Sequence, residues 1–175
     1  MILIIILFMM QQQNELTLVD FQNDIGIDQW RVVDDVVMGG RSSGTFQVNN
    51  DGFGIFEGSV SLENNGGFSS VRAVFDRTDV SEYSNIILTI RGDGKPYQFR
   101  LKPQREDQHS YIHTIGTTGE WEVIELNLAD FYPGYRGRQL SIPNYSPSYL
   151  EEIRFLIGNK KAEDFRLEIR KIELK

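Results

Sequence analysis

The sequence predicts an all-β domain, a jelly-roll β-sandwich with little helix. Three observations carry this. Apolar and polar residues alternate with period two over roughly nine to eleven short segments at regular spacing. Glycine- and asparagine-rich turn chemistry separates the segments. No stretch holds a 3.6-residue apolar period over three turns, so helix is limited to single turns.

Taken in order, "TLVDF" (Thr17–Phe21) opens the domain. "GTFQVNNDGFGIFEG" (Gly44–Gly58) is a hairpin, with Asn49-Asn50-Asp51-Gly52 supplying the turn. "GFSSVRAVF" (Gly67–Phe75), "NIILTIRGDG" (Asn85–Gly94) and "KPYQFRLK" (Lys95–Lys102) follow. Next come "SYIHTI" (Ser110–Ile115) and "WEVIELNL" (Trp121–Leu128). "IRFLIGN" (Ile153–Asn159) and "FRLEIRKIEL" (Phe165–Leu174) close the chain. In the last segment Phe165, Leu167 and Ile169 share one face, and the apolar set then slips by one residue to Ile172 and Leu174. A slip inverts the faces unless a bulge absorbs it, so a bulge or bend is expected near Arg170-Lys171. Leu128–Tyr132 and Ser146–Glu152 can each hold one helical turn, and Tyr132–Ser148, with three of the five prolines, reads as a long ordered loop.

At 175 residues the chain predicts one domain over 15–175, preceded by an apolar segment and linker at 1–14. "MILIIILFMM" falls short of the ~20 apolar residues that span a bilayer. It reads as a signal-like start, an anchor or a misplaced initiation site. Membrane contact is expected only through this segment. With no arginine-rich transit pattern, a mitochondrial address is unsupported. The chain reads as bacterial-type, placed in the envelope or the cytoplasm. Without cysteine there is no disulfide, thiolate metal site or thiol nucleophile. A net charge of −7 argues against a broad nucleic-acid surface or a polybasic membrane patch.

Gly39-Gly40 is followed by Arg41-Ser42-Ser43-Gly44 and then a strand, which fails the spacing of a phosphate-binding loop. His109 and His113 stand four apart in a strand, about 13 Å of rise, too wide for one zinc ion. No metal and no cofactor are expected. Arg91-Gly92-Asp93 spells an adhesion tripeptide but reads as a hairpin turn through Gly94. Asp34 and Asp35 with Ser42 and Ser43 lack an oriented base. Paired carboxylates for glycoside cleavage stay open, with Asp35 and Glu122 as the residues to test. The polar faces say more. Ser70 with Arg72, and Gln98 with Arg100 and Lys102, alternate with Val71, Ala73, Phe99 and Leu101. Such a face is either ordinary solvated surface or a shelf that binds a sugar, an acidic peptide or a protein. Asp93 and Glu122 are the carboxylates expected to hold its arginines.

"VDDVVMGGRSSG", "FEGSVSLENNGGFSSVRA", "IRGDGKPYQFRLK", "GEWEVIELNLADFYPGYRGR" and "IRFLIGNKKAEDFRLEIRKIEL" occur in that order. Together they resemble the NADH:ubiquinone oxidoreductase complex I intermediate-associated protein 30 family over about Phe21 to Lys175. One departure is Asp34-Asp35 where the family often has Asn-Asp. The resemblance implies a galactose-binding-domain-like sandwich acting as a chaperone-like assembly factor without catalysis, with a protein partner among respiratory-chain subunits. The partner-binding or signature-loop positions expected here are Asp34, Asp35, Met38, Gly39, Gly40 and Ser42; Asn65, Gly66, Gly67, Phe68 and Arg72; and Arg91, Gly92, Asp93, Gly94, Tyr97 and Arg100.

From these readings the loops "DDVVMGG", "NNGG" and "RGDG" are expected to gather in one region. Arg72, Arg91 and Asp93 would form one ionic network there, with Met38 an apolar contact beside Phe68 and Tyr97. Gly39-Gly40 is expected to permit a sharp turn or a close approach. Asp34 and Asp35 are expected to accept backbone N–H groups or pair with Arg72. The alternative is a carbohydrate-binding module of the cell envelope using exposed Trp121 or Tyr135, a reading that weakens if Trp30 and Trp121 are buried.

Overall fold

The alternating segments pair as strands in a computed structural model that describes residues 14–175. In chain order they are β1 (Leu16–Asp20), β2 (Trp30–Asp34), β3 (Ser43–Val48), β4 (Gly54–Val60), β5 (Ser69–Asp79), β6 (Asn85–Arg91), β7 (Tyr97–Lys102), β8 (Ser110–Ile115), β9 (Trp121–Asn127), β10 (Tyr132–Tyr135), β11 (Arg138–Gln139), β12 (Tyr149–Ile157) and β13 (Glu163–Leu174). One sheet runs β3-β4-β13-β6-β9, with β1 also on β13; the other runs β11-β10-β8-β7-β12-β5-β2. All their pairings are antiparallel, and consecutive strands repeatedly cross between the sheets, as in a jelly roll. The apolar segment expected at 1–14 lies outside the described residues except for Asn14, whose amide donates to Glu82.

The core lies between the sheets. Phe56, Leu88, Ile90 and Leu167 of one sheet meet Val71, Phe99, Leu101 and Phe155 of the other. Trp30 is stacked on Phe46 at 5.0 Å and faces Phe155 at 6.5 Å. Each buried aromatic of this kind contributes on the order of 2–3 kcal/mol of hydrophobic stabilisation. The expected bulge is present: β13 pairs Ile169 with Ile90 and then Lys171 with Thr89, leaving Arg170 as the extra residue. That residue returns Ile172 and Leu174 to the core face.

Three segments differ from the sequence expectation. β2 is a full strand paired to β5 through Trp30↔Ala73 to Asp34↔Ser69; Val33 on its outer face blurs its alternation. Tyr132–Ser148 contains the β10–β11 hairpin, hidden by Pro133 and closed by Arg136 and Gly137 at φ 47° and 74°. That is a two-residue turn of the kind that matches strand twist. Ser146–Glu152 forms no helical turn, because residues from Tyr149 are drawn into β12 by pairing with Asp79 and Thr78 of β5. At Leu128–Asp130 a 3-10 turn does form, its Ala129 N–H accepted by Asn127 Oδ1 at 2.9 Å.

Candidate functional site

Asp35 organises the first candidate loop. It opens a 3-10 turn over Asp35–Met38, and its side chain is fully buried. Oδ1 accepts the Ser42 N–H at 2.9 Å. Oδ2 accepts the Ser42 hydroxyl, the Gly67 N–H at 2.6 Å and the Phe68 N–H at 3.2 Å. One carboxylate thus ties together two loops that are more than thirty residues apart. Burial works to raise its pKa; the Ser42 hydroxyl and the Gly67, Ser42 and Phe68 N–H groups outweigh it and hold the carboxyl below its ordinary value. The glycines make room for it. A Cβ at Gly40 or Gly66 would collide with the Asp35 carboxylate, and Gly39, at φ 90°, reverses the chain. Asp34 does the parallel work one residue earlier, accepting Gly44 N–H at 2.9 Å and the Ser69 hydroxyl.

The outcome is a stiff turn with an apolar tip. Val36, Val37 and Met38 are 60%, 73% and 61% exposed, and Leu62 beside them is 47% exposed. Met38 and Leu62 form one end of a groove of about 750 Å³. The second rim is the β10–β11 hairpin, with Tyr135 and Arg136; Asn65, Gly67 and Phe68 continue the first. The floor is the outer face of β7 and β12, presenting Gln98, Arg100, Lys102, Arg154 and Leu156. None of the described residues lining the groove is acidic.

The floor's arginines have unequal partners. Glu152, buried under them, accepts from Arg154 at 2.9 Å and from Arg72 at 3.3 Å. Among the described residues Arg100 donates only to a side-chain amide, with its Nε 3.0 Å from Gln98 Oε1. Burial, then the Arg154 charge, lowers its pKa to about 10, so it remains cationic at neutral pH. Burial also lowers Lys102, with Arg154 and Arg72 adding to it and Glu152 and Asp107 opposing.

The expected single network of Arg72, Arg91 and Asp93 does not form. Arg72 lies on the outer face of one sheet with Glu152; Arg91 lies on the outer face of the other, 2.6 Å from Glu168, and the core separates them. Each arginine takes the carboxylate on the neighbouring strand of its own sheet. Asp93 instead accepts from Lys95 Nζ at 2.7 Å, Tyr97 OH at 2.9 Å and Arg166 N–H at 3.0 Å. Burial opposes its ionisation, but Lys95, the Arg166 N–H and Tyr97 prevail and lower its pKa. Glu122 accepts the Thr118 N–H rather than an arginine. Tyr97 is a core residue and not a neighbour of Met38, whereas Phe68 does share the groove rim with Met38. Gly92 packs on Thr117 and Gly94 turns the chain at φ 82°, so the tripeptide is a turn held by its own contacts.

The hydrolytic constellations do not assemble. The Ser42 hydroxyl is buried, donating to Asp35 and accepting the Ser61 N–H at 2.9 Å. Asp35 and Glu122 have separate partners. His109 packs against Tyr111 and His113 against Phe131, and no cluster of three or more metal-ligating side chains occurs among the described residues. Trp30 is buried, whereas Trp121, one of the two expected sugar platforms, is 37% exposed and packs against Phe53 at 4.7 Å, with Arg91 5.3 Å from its ring. Tyr135 alone of these aromatics lines the groove. Sequence reasoning missed Arg154, Glu152 and Leu62. The alternation of "EEIRFLI" carried a signal for the first two, since Arg154 sits between Ile153 and Phe155.

The family described as Complex I intermediate-associated protein 30 matches residues 19–169. The mitochondrial complex I intermediate-associated protein 30 of Drosophila melanogaster is 24% identical, with 86% of this chain and 59% of that protein aligned. The Mus musculus protein of the same description is 25% identical, with 85% and 52% aligned. The chain therefore spans between half and three-fifths of these relatives. Among solved structures, the family 11 carbohydrate-binding module of a cellulosomal cellulase of Clostridium thermocellum is similar in fold. It has a TM-score of 0.67 at 17% identity, covering 92% of this chain and 94% of that one. A family 29 carbohydrate-binding module gives 0.57 at 10% identity, covering 92% and 84%.

Proposed function

The chain belongs to the complex I intermediate-associated protein 30 family, and from that premise we propose that it is a non-catalytic binding module that recognises a protein partner during assembly of a respiratory complex. The observation that carries this reading is the Val36-Val37-Met38 tip. Three consecutive apolar side chains stand in solvent on backbone locked by Asp35. Exposed apolar patches of this kind mark contact sites, and a pre-ordered loop loses little entropy on binding. Methionine adds an adaptable contact suited to varied partner surfaces.

The test is affinity purification of the tagged full chain from its own cells, with bound proteins identified by mass spectrometry. Respiratory-complex subunits are expected with the native chain. Val37→Asp should reduce their recovery at least about ten-fold, the equivalent of 1.4 kcal/mol. Because Val37 is exposed, the Tm should be unchanged. Absence of such subunits, or indifference to Val37→Asp, overturns the reading. A second reading, carbohydrate recognition, is favoured by Tyr135 on the groove rim of a fold shared with carbohydrate-binding modules. Calorimetric heat with mixed-linked glucan oligosaccharides, abolished by Tyr135→Ala, would establish it in place of the first.

A further inference from the structure

The register of the seven-stranded sheet aligns arginines across neighbouring strands. Arg31 of β2 faces Arg72 of β5, Arg72 faces Arg154 of β12, and Arg154 faces Arg100 of β7. Four guanidinium groups form one transverse row on the outer face. Like charges directly opposite one another destabilise a sheet. The carboxylate in contact with the row is that of Glu152, shared by Arg72 and Arg154. Arg31 donates to the Trp30 carbonyl, Arg100 to Gln98, and Arg72 Nε is buried with no hydrogen-bond partner among the described residues. Lys102 and the rim residues Lys160 and Arg136 add further positive charge. All this occurs in a chain of net charge −7, so the strip is a local concentration of charge and not a general property.

We infer that the part of this strip on the groove floor, Arg154 and Arg100 with Lys102 beside them, binds the side-chain carboxylates of an extended acidic protein segment laid along the groove, with apolar residues at one end of the segment resting on Met38 and Leu62. The inference rests on the protein-partner reading and names the chemistry of the partner. Arginine pairs with carboxylates through two parallel hydrogen bonds, and the cost of collecting the guanidinium groups is already met in the folded domain. Neighbouring strands lie about 4.8 Å apart, so Arg154 and Arg100, paired across β12 and β7, can share one carboxylate, while Lys102 stands two residues further along β7, roughly 7 Å away. Side chains on one face of an extended chain repeat about every 7 Å, so one acidic residue can meet the Arg154–Arg100 pair and the next Lys102. A flat anionic membrane does not reach a floor set between two rims. Among the described residues that line the groove an acidic glycan would find only Phe68 and Tyr135 as aromatic surface, and it would leave the aliphatic tip uncovered.

The experiment uses the full chain and four probes: a fluorescent glutamate-rich decapeptide with two leucines at one end, its glutamine counterpart, tetragalacturonate and phosphatidylglycerol vesicles. The acidic peptide is expected to bind at least about ten-fold more tightly than the glutamine peptide. Its affinity should fall steadily as salt rises from about 50 to 500 mM. Arg100→Gln should weaken it about ten-fold. Lys160→Glu, on the exposed rim where folding is not at stake, should weaken it too. Equal binding of the two peptides, indifference to both substitutions, or displacement of the peptide by tetragalacturonate or vesicles overturns the inference. If Val37→Asp releases the native partner while no acidic peptide binds, the inference fails and the protein-partner reading stands. If the peptide binds as expected but no respiratory subunit is recovered, the reverse holds.

Discussion

Asp35 shows how a single residue sets the shape of a surface. Its two oxygens accept one hydroxyl and three backbone N–H groups in a fully buried position. Asp35→Asn would turn an amide N–H toward donors that need an acceptor. The expected loss is about 3 kcal/mol, from buried donors left unsatisfied, or a Tm drop on the order of 10 °C, read by thermal unfolding. The depressed pKa gives a second readout. Its stabilisation is complete above the ordinary value of 3.8 and is lost as pH falls through the lower folded value. The variant's stability should therefore fall less steeply with acid below about pH 4. An equal acid slope in the two proteins would refute this. The acceptor role and the need for glycine at Gly39 and Gly40 were both legible in "VDDVVMGGRSSG". What Gly40 makes way for was not, since the group is a side chain that folds back from Asp35.

β13 carries the clearest lesson among the elements. Its twelve residues pair with β4, β6 and β1, and the extra Arg170 keeps Ile169 and Ile172 on the core side. Deleting Arg170 should remove the bulge and drive Ile172 and Leu174 to the solvent face, leaving the domain largely unfolded by circular dichroism. Arg170→Ala, which removes only the contact of Arg170 Nε with Gln22 at 2.9 Å, should change stability by no more than about 0.5 kcal/mol. Similar stability for the deletion and the substitution would show that register does not depend on the bulge. This feature was readable because a slip in period two is a local signal. The β10–β11 hairpin and the start of β12 were not, because proline, glycine and tyrosine obscure the first and pairing with β5 overrides turn propensity in the second.

At the scale of the whole molecule, the two sheets present different outer faces. The six-stranded sheet pairs its charges closely, as in Arg91 and Arg166 on Glu168, while the seven-stranded sheet gathers an excess of arginine. The same two-layer arrangement separates the tryptophans: Trp30 is 5% exposed and Trp121 37%. Acrylamide should quench mainly Trp121, and Trp121→Phe should leave a blue-shifted, quench-resistant emission from Trp30. Ready quenching in that variant would contradict the packing of Trp30 between Phe46 and Phe155. The amino-acid sequence by itself determined the fold class, most strand positions, the faces they bury and the family signature. Each of these is written in local periodicity and in ordered motifs. Only the tertiary structure decided which strands became neighbours. Arg72 meets Glu152 across eighty residues of chain, and Arg31, Arg72, Arg154 and Arg100 align only once the register of four strands is set. Period two tells each arginine to point outward; long-range pairing alone determines what stands beside it.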